Sequence, residues 1–280
     1  MSSEKSIAFL ARTEEDRMLL AHTEDLLLRS AGGIAAGEFL NLGEQYLIRA
    51  YLTQCGKTEH IDYAFFGGYP SAERRMLFLF PSYLSDTFRY FTEGDADTDA
   101  VCAEEERICA LRIQGSGYRV LTHRDYLGSL LALGIERSVI GDIAVLDEHS
   151  SVLFVKSVMA EYLFTALERI GSDKVRISHL SAEEARQTPD TRRWETISDT
   201  VASLRLDALV AAAVNVSRDK AKTLVTGGFV DVDFRPYEAP DTLLTPGMYL
   251  SIRGHGRYLF SDEDGTSKKG RIRIRLKKLI

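Results

Sequence analysis

The chain has 280 residues, 45% of them hydrophobic and 27% charged, with a formal net charge of -6, a composition that excludes a disordered or fibrous protein and leaves room for one large domain or two to three smaller ones. No apolar run approaches the ~18 to 20 residues that cross a bilayer, and the start MSSEKSIAFLART has too few apolar residues for a signal peptide. Cys55, Cys102 and Cys109 show neither CxxC spacing nor an even count, so no disulfide framework or zinc knuckle is expected, and the chain reads as cytoplasmic with reduced thiols.

In chain order, the first 70 residues read as helical. Thr13 with Asp16 forms a capping box for a helix closed by Gly32-Gly33, and Asn41 with Glu44 opens a second helix ending near Gly56. GGYPSAERR then breaks the pattern and leads into the apolar run MLFLF. From residue 107 the punctuation turns regular. RICALRI reads as a strand, Thr122 to Leu133 as a helix, GDIAVLD and SVLFVK as two strands, SVMAEYLFTALERI as a helix and KVRISHL as a strand. That order, βαββαβ, is the split-βαβ, ferredoxin-like plan also used by RRM domains. An RRM stacks RNA bases on aromatics of its central strands, and here those strands offer only Phe154, which speaks against ordinary single-strand recognition. A polar stretch with Pro189 marks a linker near 181–198. Two short helices, Arg205 to Asn215 and Arg218 to Thr226, and several strands follow.

The charge is unevenly distributed: residues 201–280 hold 14 Lys+Arg against 9 Asp+Glu, net +5, which leaves net -11 on the first 200. A basic module inside an acidic chain points to nucleic acid or another anionic surface. Two features concentrate the cations. Ser217 is a natural N-cap, with Arg218, Lys220 and Lys222 at or near the first turn of the helix it opens; cations there oppose the helix dipole, and together with the N-terminal amides they read as a phosphate site. The terminal RIRIRLKKLI puts Arg271, Arg273, Arg275 and Lys277 on one side at period two, with Ile272, Ile274 and Leu276 on the other, as in a half-buried strand. In the central segment Thr122 and Asp125 form a capping box, and His123, Arg124 and Arg137 make a second candidate phosphate site; the competing reading is that Arg124 pairs with a carboxylate and His123 is an ordinary surface residue.

Other motifs are weaker. His123-Arg124-Asp125 spells the HRD triplet of a kinase catalytic loop, but Leu130 stands where asparagine is required and no DFG follows. Asp95, Asp97, Asp99 and Glu106 match calcium-loop positions 1, 3, 5 and 12, yet Ala100 replaces the turn glycine, so a solvated acidic loop is expected. The six histidines lack metal-ligand spacing, and no catalytic residue, metal or cofactor is expected.

Arg205-Leu206-Asp207, the Ser217-Arg218 helix start, Gly228 before a strand, and the later LTPGMYLSIRGHGRYLF resemble the small RNA-binding module named after ribosomal protein S-four, with Met248 in place of the family's usual acidic residue. The resemblance implies contacts to structured RNA from Ser217, Arg218, Lys220, Lys222, Arg253 and Arg257. With GGYPSAERR and THRDYLGSLLALGIERSVIGDI upstream, nearly the whole chain resembles the YlmH family of RNA-binding proteins, departing from it where Asn41-Leu42 replaces Asp-Pro. The resemblance implies ribosome-associated quality control, with binding to rRNA and tRNA of large subunits that carry an obstructed peptidyl-tRNA, and a link to cell-division genes. The expected fold class is therefore α+β: an N-terminal helical domain over 1–72, the RRM-like domain over 73–182, and an S-four-like domain over 199–280. The chain is expected to act as a monomer, with no membrane or small-molecule partner. Two alternatives remain: an rRNA-modifying enzyme of the pseudouridine synthase type, although the required GRLD is here LRLD within the RNA module, and a division-site adaptor, although no amphipathic or lipidation motif is present.

Overall fold

The computed structural model describes residues 7, 9–55, 60–85, 107–267 and 270–280. The calcium-loop reading of Asp95 to Glu106 lies outside the described residues. The chain is α+β and divides into two compact units, 1–191 and 192–280.

In the first unit, α1 (Glu14–Ser30) is opened by the Thr13/Asp16 capping box, and α2 (Leu42–Cys55) by reciprocal bonds between Asn41 and Glu44 (2.6 and 3.0 Å). The expectation of a purely helical N-terminus is corrected here. β1 (Ala35–Leu40), β2 (Ile61–Phe66) and β3 (Arg75–Pro81) form an antiparallel sheet of order β1-β3-β2. β1 and β2 carry weak strand signals and are held in place by β3, whose run MLFLF is apolar on both faces because both faces are covered. Leu77 and Leu79 pack with α1 and α2, while Met76, Phe78 and Phe80 face a second sheet. A domain boundary at 72/73 is therefore not observed: the central strand of the N-terminal sheet lies beyond it.

The second sheet has order β5-β6-β4-β8-β7, built from β4 (Ile108–Gly115), β5 (Ile140–Val145), β6 (Ser150–Lys156), β7 (Arg169–Ile170) and β8 (Asp173–His179), all antiparallel. α3 (His123–Ala132) follows β4, and α4 (Ala160–Ala166) follows β6, shorter than the pattern suggested because Glu168 and its neighbours turn into β7. Leu111, Ile113, Leu153 and Val155 pack under these two helices. The other face, which an RRM keeps open for RNA, is closed by the N-terminal sheet. Phe154 is fully buried and stacks on Tyr69 with ring centroids 4.7 Å apart. Phe154 is thus not open for base stacking.

Gly68 makes that closure fit. Its φ is +95°, and a Cβ there would stand 2.4 Å from Phe154 Cδ1. Gly68→Ala is expected to cost about 2 to 3 kcal/mol through backbone strain and overpacking, read as a lower denaturant midpoint.

The expected linker is partly structured: α5 (Ala182–Arg186) belongs to the first unit, and β9 (Trp194–Val201) to the second. The second unit continues with α6 (Leu206–Val214), α7 (Arg218–Thr226), β10 (Val230–Val232), β11 (Arg235–Pro236), β12 (Tyr249–Ile252), β13 (Gly256–Thr266) and β14 (Ile272–Leu279). Its sheet runs β11-β10-β12-β13-β14-β9, and α6 and α7 cover one face through a core that includes Leu209, Val225, Leu250, Phe260, Ile274 and Leu276. Asn215, in the left-handed region at φ 52°, stops α6 and lets α7 start three residues later.

Candidate nucleic-acid interface

At the start of α7, Ser217 accepts the Lys220 amide (3.3 Å), and Lys220 and Lys222 are exposed. Arg218 is oriented differently from the sequence expectation. Its guanidinium turns to Asp207 (3.1 and 3.2 Å), which also accepts from Arg205 (3.3 and 3.5 Å). The aspartate of the Arg-Leu-Asp triplet, only 6% exposed, therefore ties α6 to α7. Burial raises its carboxyl, but the hydrogen bonds from Arg218 and Arg205 outweigh that and hold it below the usual range. A carboxylate gripped by two guanidinium groups is a structural anchor and a poor general base.

The terminal strand alternates as expected, with Ile274 and Leu276 buried and Arg273, Arg275 and Lys277 exposed. Because α6 and α7 lie on the Ile274 side, these cations point from the opposite face of the sheet. The candidate residues thus form two patches rather than one. Within the second patch Arg275 is paired with Asp264 (2.7 Å) and Asp262 (3.8 Å) of β13, and Arg271 donates to the Thr200 carbonyl. The strand is not an exposed edge, because β9 pairs with it from Trp194 to Val201. Arg273 lies opposite Thr200 and Lys277 opposite Thr196, which leaves a cation-hydroxyl stripe on the open face.

Arg253 and Arg257 sit at the other end of the same sheet, in the loop and strand after β12. The Arg253 guanidinium lies 5.2 Å from the Phe229 ring centroid, and Arg257 lies 5.9 Å from that of Tyr249. The pattern reading missed these aromatics, Phe229 and Tyr249, each of which stands beside a cation of a neighbouring segment.

The central candidate site does not assemble as a cationic triad. Arg137 is half-buried and donates to the carbonyls of Ile140 (3.3 Å) and Gly141 (3.2 Å), and burial followed by the Arg74 charge pulls it down to about 10. His123 keeps over a third of its surface open, yet desolvation and then the Arg137 charge push its imidazole below the ordinary value, so it is neutral at pH 7. Arg124 remains as an exposed cation beside the Thr122/Asp125 capping box, whose carboxylate also meets Arg119 (3.5 Å).

A pocket of about 430 Å³ in the first unit is lined by Phe66, Phe154, Cys109, Glu161 and His179. Cys109 Sγ is 3.2 Å from His179 Nδ1, but burial and then the Glu161 charge push the thiol up to about 11. It is a protonated thiol at neutral pH, not an activated nucleophile. Among the described residues no group of three or more His, Cys, Asp or Glu is placed to hold a metal, and no helix is long and apolar enough to cross a membrane.

Residues 107–184, which make the second sheet with its helices, match the family described as "Putative RNA-binding domain in YlmH". Over most of its length, the chain is 31% identical over 238 residues to the Ribosome-associated protein quality control protein P2 of Bacillus subtilis (strain 168), covering 85% of this chain and 84% of that protein. The chain belongs to the YlmH family. A solved structure, the cell division protein YlmH from Streptococcus pneumoniae, aligns with TM-score 0.47 at 17% identity over 63% of this chain and 98% of that one. In this YlmH-family chain the motif GGYPSAERR, part of the original resemblance, turns out to be structural. Asp142 of β5 accepts from Tyr69 Oη (2.9 Å) and from the backbone amides of Glu73 (2.7 Å) and Arg74 (2.9 Å), which fastens the β2–β3 connection onto the second sheet.

Proposed function

We propose that this chain is a non-catalytic RNA-binding factor of ribosome-associated quality control, acting in the cytoplasm on the large ribosomal subunit or on the obstructed peptidyl-tRNA it carries. The observation that carries this reading is the match along 85% of the chain to a relative named for that process. The matched RNA-binding domain and the net +5 charge of residues 201–280 support it.

In this mechanism, affinity comes from phosphate neutralisation and selection from the shape of folded RNA. Lys220 and Lys222 at the start of α7 are the primary anchor, with Arg273 and Lys277 as a second contact. Arg218 contributes by orienting α7 through Asp207. Arg124 is an additional candidate contact on the first unit.

Cosedimentation with separated ribosomal subunits across a salt series tests the proposal. If ~6 phosphates are contacted, log affinity falls with log salt at a slope of about -4 to -5, and Lys220→Glu/Lys222→Glu makes the slope shallower by roughly 1.4 to 1.8. Large-subunit binding that survives the double reversal unchanged, or equal binding to both subunits, would count against this anchor. Arg218 is left out of the variant because its loss would disturb α7 itself.

A further inference from the structure

The open face of the second unit's sheet carries an aromatic-arginine groove that phosphate binding does not require. About 570 Å³ in size, it is lined among others by Phe229, Asp231, Phe234, Arg253 and Arg257, within the ~300 to 1,000 Å³ usual for small-molecule sites. Phe229 is 41% exposed on one rim under the Arg253 guanidinium, seated on Gly227, where a Cβ would come within 2.8 Å of the ring. On the other rim, Phe234 leans on Tyr249 with centroids 5.5 Å apart.

Phe234 is held there at a conformational cost. The β10–β11 turn places Asp233 at φ 46° and Phe234 at φ 65°, where a bulky side chain is an outlier and glycine is the usual choice. The turn is fixed by paired bonds: the Asp233 amide donates to the Tyr249 carbonyl, and the Tyr249 amide to Asp233 Oδ1, both 2.9 Å. A phenylalanine at a left-handed position, at a sheet edge with its ring beside an open groove, fits a requirement for that ring. Between the aromatics, Asp231 of β10 is half-buried, opposite Ser251 of β12. Burial raises its carboxyl while the Arg253 charge pulls the other way.

We infer that this groove binds one unpaired guanine nucleotide of an RNA strand, with the base stacked among Phe229, Phe234 and the Arg253 guanidinium, and its Watson-Crick edge read by Asp231. A carboxylate only accepts hydrogen bonds, and guanine presents two adjacent N–H donors, N1–H and the 2-amino group, that match its two oxygens. Arg253 and Arg257 supply the positive charge for the flanking phosphates. The inference rests on the RNA-binding reading above and adds base recognition to it; RNA modules commonly take unstacked bases on aromatic and arginine planes.

The test is fluorescence anisotropy of the full chain with uridine-rich octanucleotides that differ at one central position: guanine, hypoxanthine or an abasic site. Guanine is expected to bind about tenfold tighter than the abasic strand, in the range for one base-aromatic stack, with hypoxanthine between them. Phe234→Gly suits the positive φ and keeps the fold, and it should bring the guanine strand close to the abasic level. Asp231→Asn should erase the preference for guanine over hypoxanthine. Equal affinity for the guanine and abasic strands, or a Phe234→Gly variant indistinguishable from wild type, overturns the inference while subunit cosedimentation leaves the RNA-binding reading standing. Free GMP competing as well as the strand would overturn the RNA-strand assignment. Failure of both subunits and every strand to bind would sink the two readings together.

Discussion

Asp142→Ala is expected to lower the unfolding free energy by about 4 kcal/mol. One carboxylate receives three donors, the Tyr69 hydroxyl and the amides of Glu73 and Arg74, at 2.7 to 2.9 Å. Hydrogen bonds to a charged group are worth about 1.5 to 3 kcal/mol each, reduced here because the site is only part-buried. The loss spreads to Arg74, whose guanidinium donates to the carbonyls of Phe39 (2.8 Å), Arg137 (2.9 Å) and Ile140 (2.9 Å). Burial lowers the Arg74 pKa, and Glu44 and Asp142 oppose that shift, so removing Asp142 leaves a half-buried cation with one fewer counter-charge. Denaturant unfolding checks the prediction. A midpoint shift at constant m-value means that the two sheets of the first unit unfold together, and a second transition would mean that the N-terminal sheet detaches first. A loss below about 1 kcal/mol would show the bridge to be effectively solvated.

Features set within one helical turn were legible in the sequence. Thr13/Asp16, Asn41/Glu44, Thr122/Asp125 and Ser217 all cap the helices they were expected to cap, because donor and acceptor lie three residues apart. Features that depend on distant partners were not. AAGEFL and IDYAFF become strands only by pairing with β3, and neither alternates clearly enough to reveal it. The candidate cations show the same limit. Nothing near Arg218 reveals that Asp207, eleven residues back and one helix away, will hold it, nor that Arg137 will spend its donors on carbonyls. Period two placed the cations of β14 correctly on one face, but whether α7 shares that face is decided by the core beneath the helices. Phe234 was invisible for another reason: an Asp-Phe pair is a poor type I′ turn sequence, and the fold imposes the turn.

The Asp207 clamp gives the second large expected effect, and it is non-additive. Arg218→Ala alone should cost about 1.5 kcal/mol, because Arg205 still accompanies the carboxylate and both guanidinium groups are well exposed, at 48% and 37%. Arg205→Ala/Arg218→Ala should cost about 4 kcal/mol, more than the two single losses combined, since it strands a 6% exposed carboxylate without a counter-charge. The pH dependence separates a lost clamp from general damage. In the wild type the folded-state pKa of Asp207 lies below its unfolded value, so its contribution is present above the unfolded pKa and lost as pH falls through the folded one. In the double variant burial acts alone and raises the folded pKa above the unfolded value. Stability from this group is then greatest below the unfolded pKa and declines as pH rises through the folded one, so the slope contributed by Asp207 changes sign. Unfolding midpoints from pH 7 down to about 2 measure that slope, the wild-type component falling below about pH 4 and the reversed one above it, with Asp207→Asn added to the double variant as the control that should remove the reversed component. If the double variant keeps the wild-type slope, Asp207 is hydrated in solution, and the clamp does not set the orientation of α7.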